Sequence, residues 1–460
     1  MTMKNITRNF IYPVSCLLIL LRVNALLSGR KKQFLIFCFL IFSGIVNASA
    51  QTGIQTLTVD EAVRIALEKN LSLKRQAIDL GGKKRTSDRS WNTLIPNVTA
   101  GASLSHPTSL TGGIPESQNV WTPGVSVSAS LSLSAGIINN IKKTKIDYEA
   151  GELSYQQAWQ DLELSVRKLF YQIILLEVNR ELAAQSLASA QERYEQSAAF
   201  AKTGQVSMLE EMKARVDMEN QRPNVRNAET VYENALDFFK TLLDIPREQV
   251  ILLDGSLQLD DTSYLPDTAN LSGGSSLETA AVKNSILSLR EQRNAARNNT
   301  YIPYLRLSWN STSLYNINGK QWNDNTGSFS VTLGFGLESL LPWSQARTQI
   351  DSFNDNIRSA EILLSETIRN SESRIVQLLR TIQQTRETIT ALSLNVELAQ
   401  TAYGLYEEAW QHGEVDYQQL RDAGDSLLQA QNRVKQEQYN LIAAILDLEK
   451  ELNVPFGSIK

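Results

Sequence analysis

Two segments of the chain spell the same pattern twice, and each copy joins short, strictly alternating runs to very long helical ones. Asn92-Thr93-Leu94-Ile95-Pro96 returns as Asn299-Thr300-Tyr301-Ile302-Pro303, an offset of 207 (303 minus 96). Gly204 returns as Gly413, and Leu243-Asp244-Ile245-Pro246 as Leu452-Asn453-Val454-Pro455, each at an offset of 209 (413 minus 204; 455 minus 246). A near-constant offset over that separation marks an internal duplication. The duplicated unit limits the fold to two similar halves, each built from both periods of hydrophobicity.

The alternating runs are strand-like. Val98, Ala100, Ala102 and Leu104 interleave with Asn97, Thr99, Gly101, Ser103 and Ser105; Val125 to Leu133 alternates with serines up to Ser134. In the second copy Leu305, Leu307 and Trp309 interleave with Arg306, Ser308 and Asn310, and Phe329 to Leu337 does the same with Ser330, Thr332, Gly334 and Gly336. Period two over about 9–10 residues gives each strand one apolar and one polar face. The stretches between each pair, His106 to Pro123 and Leu314 to Gly327, are rich in Gly, Pro, Asn and Ser and read as loops.

Helical patterns surround the strands. One opens at Thr58-Val59-Asp60-Glu61 and continues to about Trp91 with an interruption at Gly81-Gly82; its partner runs from about Leu277 to Arg297. After each second strand comes a proline-free run, Gly136 to Thr203 and Trp343 to Gln411. At 1.5 Å per residue each is about 100 Å long. Both end at a glycine, and return helices are expected over Val206–Asp244 and Val415–Asn453. Ala228, Val231, Ala235, Phe238 and Leu242 form a coiled-coil-like seam in the first, and Leu427, Ala430, Val434 and Leu441 in the second. Pro223 should kink the first return helix about 25–30 Å from its glycine turn. An irregular segment, 247–275, joins the halves and has room for a short strand over Val250–Leu253.

The first 50 residues carry Lys4, Arg8, Arg22, Arg30, Lys31 and Lys32 and no acid. Arg30-Lys31-Lys32, the apolar run Phe34–Val46 and Ala48-Ser49-Ala50 compose an export leader with a cleavage site before Gln51. The apolar run Val14–Leu27 leaves open whether the leader is long or translation starts later. Cleavage takes the net charge from −4 to −10 and removes Cys16 and Cys38, so the exported chain has no thiol chemistry and no lipid-bearing cysteine at its start. Beyond the leader no run reaches the ~20 apolar residues of a membrane helix. An exported chain of this kind enters a membrane only through its strands. Four strands cannot close a barrel, and lipid tolerates no open sheet edge. Two copies would supply eight strands and three would supply twelve, and the long helices favour three.

Catalytic signatures are missing from the sequence. The two histidines of the exported chain, His106 and His412, are not spaced as a metal pair, and there is no glycine-rich phosphate loop, GxSxG or HExxH. No cofactor is expected, and the net negative charge argues against nucleic acid as a partner. The polar strand face suits water and the apolar face lipid, so Ser126, Ser128, Ser130, Arg306, Ser308, Ser330 and Thr332 are expected to face a lumen. A periplasmic coiled-coil structural or binding protein that never enters the membrane is the competing reading.

The doubled order of Ile-Pro, strand, strand, long helix, glycine turn and a return helix ending Leu-Asp-Ile-Pro or Leu-Asn-Val-Pro resembles the TolC-like family of outer-membrane efflux proteins over nearly all of residues 56–456. The resemblance implies a mainly α fold with a β-barrel segment: a homotrimer with a twelve-stranded barrel in outer-membrane lipid and a twelve-helix tunnel in the periplasm. It implies repeats at 51–246 and 276–460 joined by an equatorial connector at 247–275. It also implies a non-enzymatic export conduit of a tripartite efflux or type I secretion system, working with a periplasmic adaptor protein and an inner-membrane pump. By distance from the glycine turns, Glu210 and Asp422 fall where the family places gating acids, and Trp410 where some members carry an aromatic hydroxyl. Gly204, Gln205, Val206, Gly413, Glu414 and Val415 would form the tip that meets the adaptor, with Val415 standing where some members carry a polar or basic link.

Overall fold

The computed structural model of the chain describes residues 55–109, 111–115, 120–258, 276–316, 319–323 and 326–459. The expected leader and most of the expected connector, from residue 259 onward, lie outside these residues. The chain divides into two compact units, residues 1–55 with 249–251 and residues 56–248 with 252–460. Of the first unit only Gln55 and residues 249–251 are described. The second unit contains every long element.

Short strands β1 (Gln55–Leu57) and β4 (Ile251–Leu253) bracket the first repeat in sequence. Helix α1 (Val59–Lys69) starts at a capping box, in which Thr58 Oγ1 accepts from the Glu61 amide while Glu61 accepts from the Thr58 amide. The chain then breaks at Asn70, whose side-chain oxygen accepts the amides of Ser72 and Leu73 at 3.0 and 3.1 Å and so starts α2 (Leu71–Asp88). Gly81 and Gly82, expected to interrupt the helix, lie inside α2. An interior glycine costs about 1 kcal/mol, which a capped and packed helix absorbs.

Strands β2 (Asn97–Ser105), β3 (Thr122–Leu133), β5 (Tyr304–Asn316) and β7 (Thr326–Gly334) form one antiparallel sheet in the order β2-β3-β5-β7. The sheet corrects two boundaries. β7 stops at Gly334, leaving Phe335 and Leu337 outside it. The Tyr304 ring lies against Gly334, so that a Cβ there would come within 2.3 Å of the ring. The expected loop 314–327 carries structure instead: β5 runs on to Asn316 and pairs with β6 (Gln321–Trp322), with the Tyr315 and Trp322 rings 5.3 Å apart.

Helices α3 (Ile137–Thr203) and α6 (Gln345–Gln411) have 67 residues each, and their return helices α4 (Met208–Leu242) and α7 (Tyr417–Glu451) have 35 each. With α5 (Leu277–Tyr301) they align as four columns: α2 and α4 beside α3, then α5 and α7 between α3 and α6. Phe170 and Phe239 pack within the first hairpin with tilted rings 6.3 Å apart. Ile375, Leu379 and Ile382 pack on Leu441, Ala444, Ile445 and Leu448 in the second. Ion pairs Lys168–Asp447 and Lys450–Asp161, both 2.6 Å, tie α3 to α7 and so one repeat to the other. Gly151 of α3 admits α2: a Cβ there would lie 2.8 Å from the Lys83 side chain.

The seam expected in α7 is present, with Val434 and Leu441 buried. That in α4 is displaced by one position. Tyr232 and Phe239 are buried, whereas Val231 and Phe238 are exposed. Adjacent apolar pairs at both levels gave α4 two apolar stripes, of which one faces α3. The helix runs on through Pro223, which supplies no amide for the Glu219 carbonyl.

Candidate functional site

The two ends of the unit hold the candidate site residues. At the strand end, the register puts all seven polar strand residues on one face. Ser130 lies opposite Ser308 and Ser308 opposite Ser330, while Arg306 lies opposite Thr332. Ser128 pairs with Asn310 on the same face and Ser126 with Thr312. Hydroxyls link across the strands, Thr99 with Ser128 and Ser308 with Ser330, each at 2.6 Å, and Ser328 donates to Asn310. The other face aligns Ala129, Trp309 and Phe329 in one row and Leu131, Leu307 and Val331 in the next. Val125, Trp309, Phe329, Val331 and Leu333 on that face are exposed to solvent. So large an exposed apolar area marks a surface meant for a partner or for lipid.

At the turn end, both hairpins use the same device. Gly204 and Gly413 take φ of 76° and 75°, the left-handed conformation that favours glycine. The Gln205 amide donates to the Phe200 carbonyl and the Glu414 amide to the Ala409 carbonyl, each 2.9 Å, which closes the long helix. Ser207 and Asp416 then cap the return helices. Gly204, Gln205, Gly413 and Glu414 are exposed, whereas Val415 packs against a buried cluster of Ala214, Trp410, Tyr417 and Leu420.

That cluster contains a polar tie that sequence patterns do not show. The Tyr417 hydroxyl donates to Asp217 Oδ2 at 2.9 Å, and Arg193 Nη2 lies 3.5 Å from the same oxygen. Arg193 also donates to the Tyr403 hydroxyl at 3.4 Å. Arg193 of α3 and Tyr417 of α7 thereby meet at the Asp217 carboxylate of α4, and Arg193 carries the tie on to Tyr403 of α6. Burial, and secondly the charge of Asp217, push the Tyr417 phenol up to about 12, against the opposing Arg193. Burial followed by Asp217 also raises Asp425. The residues are separated by up to 224 positions (417 minus 193), so no local spacing announced them.

The gate candidates differ in placement. Asp422 is exposed, 3.5 Å from Arg421 Nη2, and accepts from Gln418 at 2.9 Å. Arg421 also reaches Asp425 at 3.9 Å, so this acid pair surrounds a cation. Glu210 sits in the first turn of α4, its amide bonded to Ser207, where a carboxylate favours the helix N-terminus. Trp410 is a core residue with its ring 5.9 Å from Phe200. Among the described residues no group of His, Cys, Asp and Glu could hold a metal ion, and no helix is long and apolar enough to cross a membrane.

Residues 62–243 match the family model described as outer membrane efflux protein. The fold aligns with the CmeC outer membrane channel of Campylobacter jejuni at a TM-score of 0.70 and 16% identity, over 86% of this chain and 85% of that one. VceC of Vibrio cholerae aligns at 0.69 and 14% identity, covering 86% and 96%. The open state of the MtrE outer membrane channel of Neisseria gonorrhoeae aligns at 0.68 and 18%, covering 86% and 89%. No curated protein matches the sequence. Residues 62–243 thus resemble outer membrane efflux proteins in sequence, and the two repeats together resemble the channel subunits in fold.

Proposed function

We propose that three copies of the chain close a barrel through the outer membrane and a helical tunnel below it, and that the tunnel is a passive conduit of a tripartite efflux or type I secretion system. The observation that carries this reading is the pair of matching open edges. β2 and β7 each pair on one side only within the sheet, and α4 and α6 are the outermost of the hairpin helices. β2 and α4 belong to the first repeat, β7 and α6 to the second. One rotation therefore sets β7 beside the next copy's β2 and α6 beside its α4, a heterologous contact that closes a ring.

The helix edges support that pairing. α4 carries Leu209, Met212, Val216, Asn220, Pro223, Asn227, Val231, Asn234 and Phe238 on one exposed, charge-free face. α6 exposes Leu394, Leu398 and Leu405. Met212 and Leu405 each lie eight residues from their glycine turn (212 minus 204; 413 minus 405), so the two stripes meet at one level.

In this assembly the polar strand face, with Ser126, Ser128, Ser130, Arg306, Ser308, Ser330 and Thr332, lines the lumen. The turns at Gly204–Val206 and Gly413–Val415 meet a periplasmic adaptor, which couples the conduit to an inner-membrane pump. Asp422 and Glu210, with Trp410 behind them, form the gate region, held shut by packing and by the tie at Asp217.

Cysteine scanning tests the reading. Ser128→Cys should react with a membrane-impermeant thiol reagent and Val127→Cys should not; equal labelling of both refutes the assigned faces. Outer-membrane extracts should yield a heat-modifiable trimer that conducts in planar bilayers, and a soluble monomer in the periplasmic fraction would reject the channel. In the same bilayers Asp422→Ala should raise conductance or lower cation preference.

A further inference from the structure

The two repeats differ most where strands pass into helices. β3 ends at Leu133 and α3 starts at Ile137, so three residues, 134–136, make the first crossing. Gly136 there donates its amide to Asn299 Oδ1 at 3.1 Å and is packed so closely on Asn299 that a Cβ would lie 2.4 Å from that oxygen. β7 ends at Gly334 and α6 starts at Gln345, so ten residues, 335–344, make the second crossing.

The added residues are apolar and uncovered. Leu337 is 73% exposed, Leu340 61% and Trp343 78%, with Phe335 and Leu341 also exposed. Glu338 is the single charge between Gly334 and Gln345. The segment is ordered by its own backbone: Leu341 N–H donates to the Glu338 carbonyl at 3.0 Å, Ser344 N–H donates to that of Leu341 at 3.1 Å, and Ser344 caps α6. Backbone groups paired in this way lower the cost of leaving water. Phe335 and Leu337 keep the sequence parity of Phe329, Val331 and Leu333 past the end of β7, so the crossing begins with apolar residues directly after the apolar face of the strand. Trp91, Leu94 and Ile95, exposed in the turn before β2, stand at the same end of the sheet.

We infer that the crossing at 335–343 is a membrane anchor, lying in the headgroup–acyl boundary of the phospholipid leaflet nearest the helices and fixing how deep the barrel sits. It rests on the reading of the strands as a barrel. Lipid is the occupant the chemistry selects. Leucines flanking an exposed tryptophan favour the boundary region, where the indole ring is amphipathic. The patch offers no cation cluster for one particular headgroup, so anchoring depends on depth rather than lipid class.

Both cysteines, Cys16 and Cys38, fall in the expected leader, so in the chain from Gln51 onward thiol probes report one site at a time, and the unsubstituted protein serves as the unlabelled control. Leu340→Cys, Trp343→Cys, Val331→Cys and Ile362→Cys, each carrying a nitrobenzoxadiazole label, are reconstituted in phosphatidylcholine vesicles. The lipid bears bromine either close to the headgroup or near the chain ends. Labels at 340 and 343 should lose at least half of their emission to the shallow bromine and less to the deep one. The label at 331 should be quenched, and that at 362 unchanged. Quenching at 331 without quenching at 340 and 343 overturns the anchor and assigns the patch to cover by a second copy; no quenching at 331 overturns the barrel reading and the anchor with it. Leu340→Asp should at least halve the shallow-bromine quenching of the label at 343 with unchanged helical content. Unchanged quenching at 343 also overturns the anchor.

Discussion

The two hairpins agree in backbone and disagree in chemistry. Under the 209 offset, Gly204 and Gly413, and the caps Ser207 and Asp416, hold the same places and do the same work. At the other end, Lys240 and Glu449 also occupy equivalent positions, both buried, yet with opposite charge. Lys240 Nζ donates to the Arg247 carbonyl at 2.9 Å, whereas Glu449 accepts the amides of Gly457 and Ile459 at 3.0 and 2.8 Å. Each ties the segment that follows its helix to the helix itself. What the duplication preserved is the demand for a tether at that point; donor and acceptor exchanged once the tethered backbone presented the other group.

The tips diverge further. Met208, Leu209, Met212 and Val216 in the first hairpin stand where the second has Tyr417, Gln418, Arg421 and Asp425. The first set is exposed and apolar; Tyr417 of the second is buried on Asp217. One hairpin thus leaves its tip uncovered, and the other is bound into its own chain.

The largest expected effect breaks the tether comparison. Glu449→Ala removes two charge-assisted hydrogen bonds made by a fully buried carboxylate and should lower stability by about 3 kcal/mol, against about 1–2 kcal/mol for Lys240→Ala, in thermal unfolding in detergent. Equal losses would remove the distinction between the two tethers. The tip tie comes next. Tyr417→Phe removes a bond to a buried carboxylate and should cost about 2 kcal/mol, while Met208→Ser, at the equivalent place, should change nothing measurable. The phenol binds its proton more tightly folded than unfolded, so its contribution is whole below pH 10 and is lost as pH rises toward 12. The wild type should therefore lose more melting temperature over that interval than Tyr417→Phe.

Gly204→Ala and Gly413→Ala sharpen the agreement: each forces a side chain into the left-handed region and should cost about 1 kcal/mol, the same at both turns within error. The smallest effect is at Asp422, an exposed ion pair, where Asp422→Ala should alter stability by about 0.5 kcal/mol or less while altering conductance.

The strands were legible because the two faces of the sheet take opposite residue types at successive positions, and β2 falls on Asn97–Ser105 as its alternation required. The long helices and their glycine stops were legible for a similar reason: nothing in Ile137–Thr203 competes with helix until φ must turn positive. Legibility failed where one residue answers to two partners. Val231-Tyr232 and Phe238-Phe239 place apolar side chains on two faces of α4, and periodicity alone gives no ground for choosing the inner one. The tie of Arg193, Asp217, Tyr403 and Tyr417 was invisible because it exists only when both hairpins are folded side by side.

The equal lengths of the paired helices, 67 with 67 and 35 with 35, act as a ruler. They level the two tips, so a rim built from them is flat. Losing seven residues from one long helix and its return would withdraw that tip by about 10 Å at 1.5 Å per residue. Two tips at one height stay level only if both hairpins lengthen or shorten together.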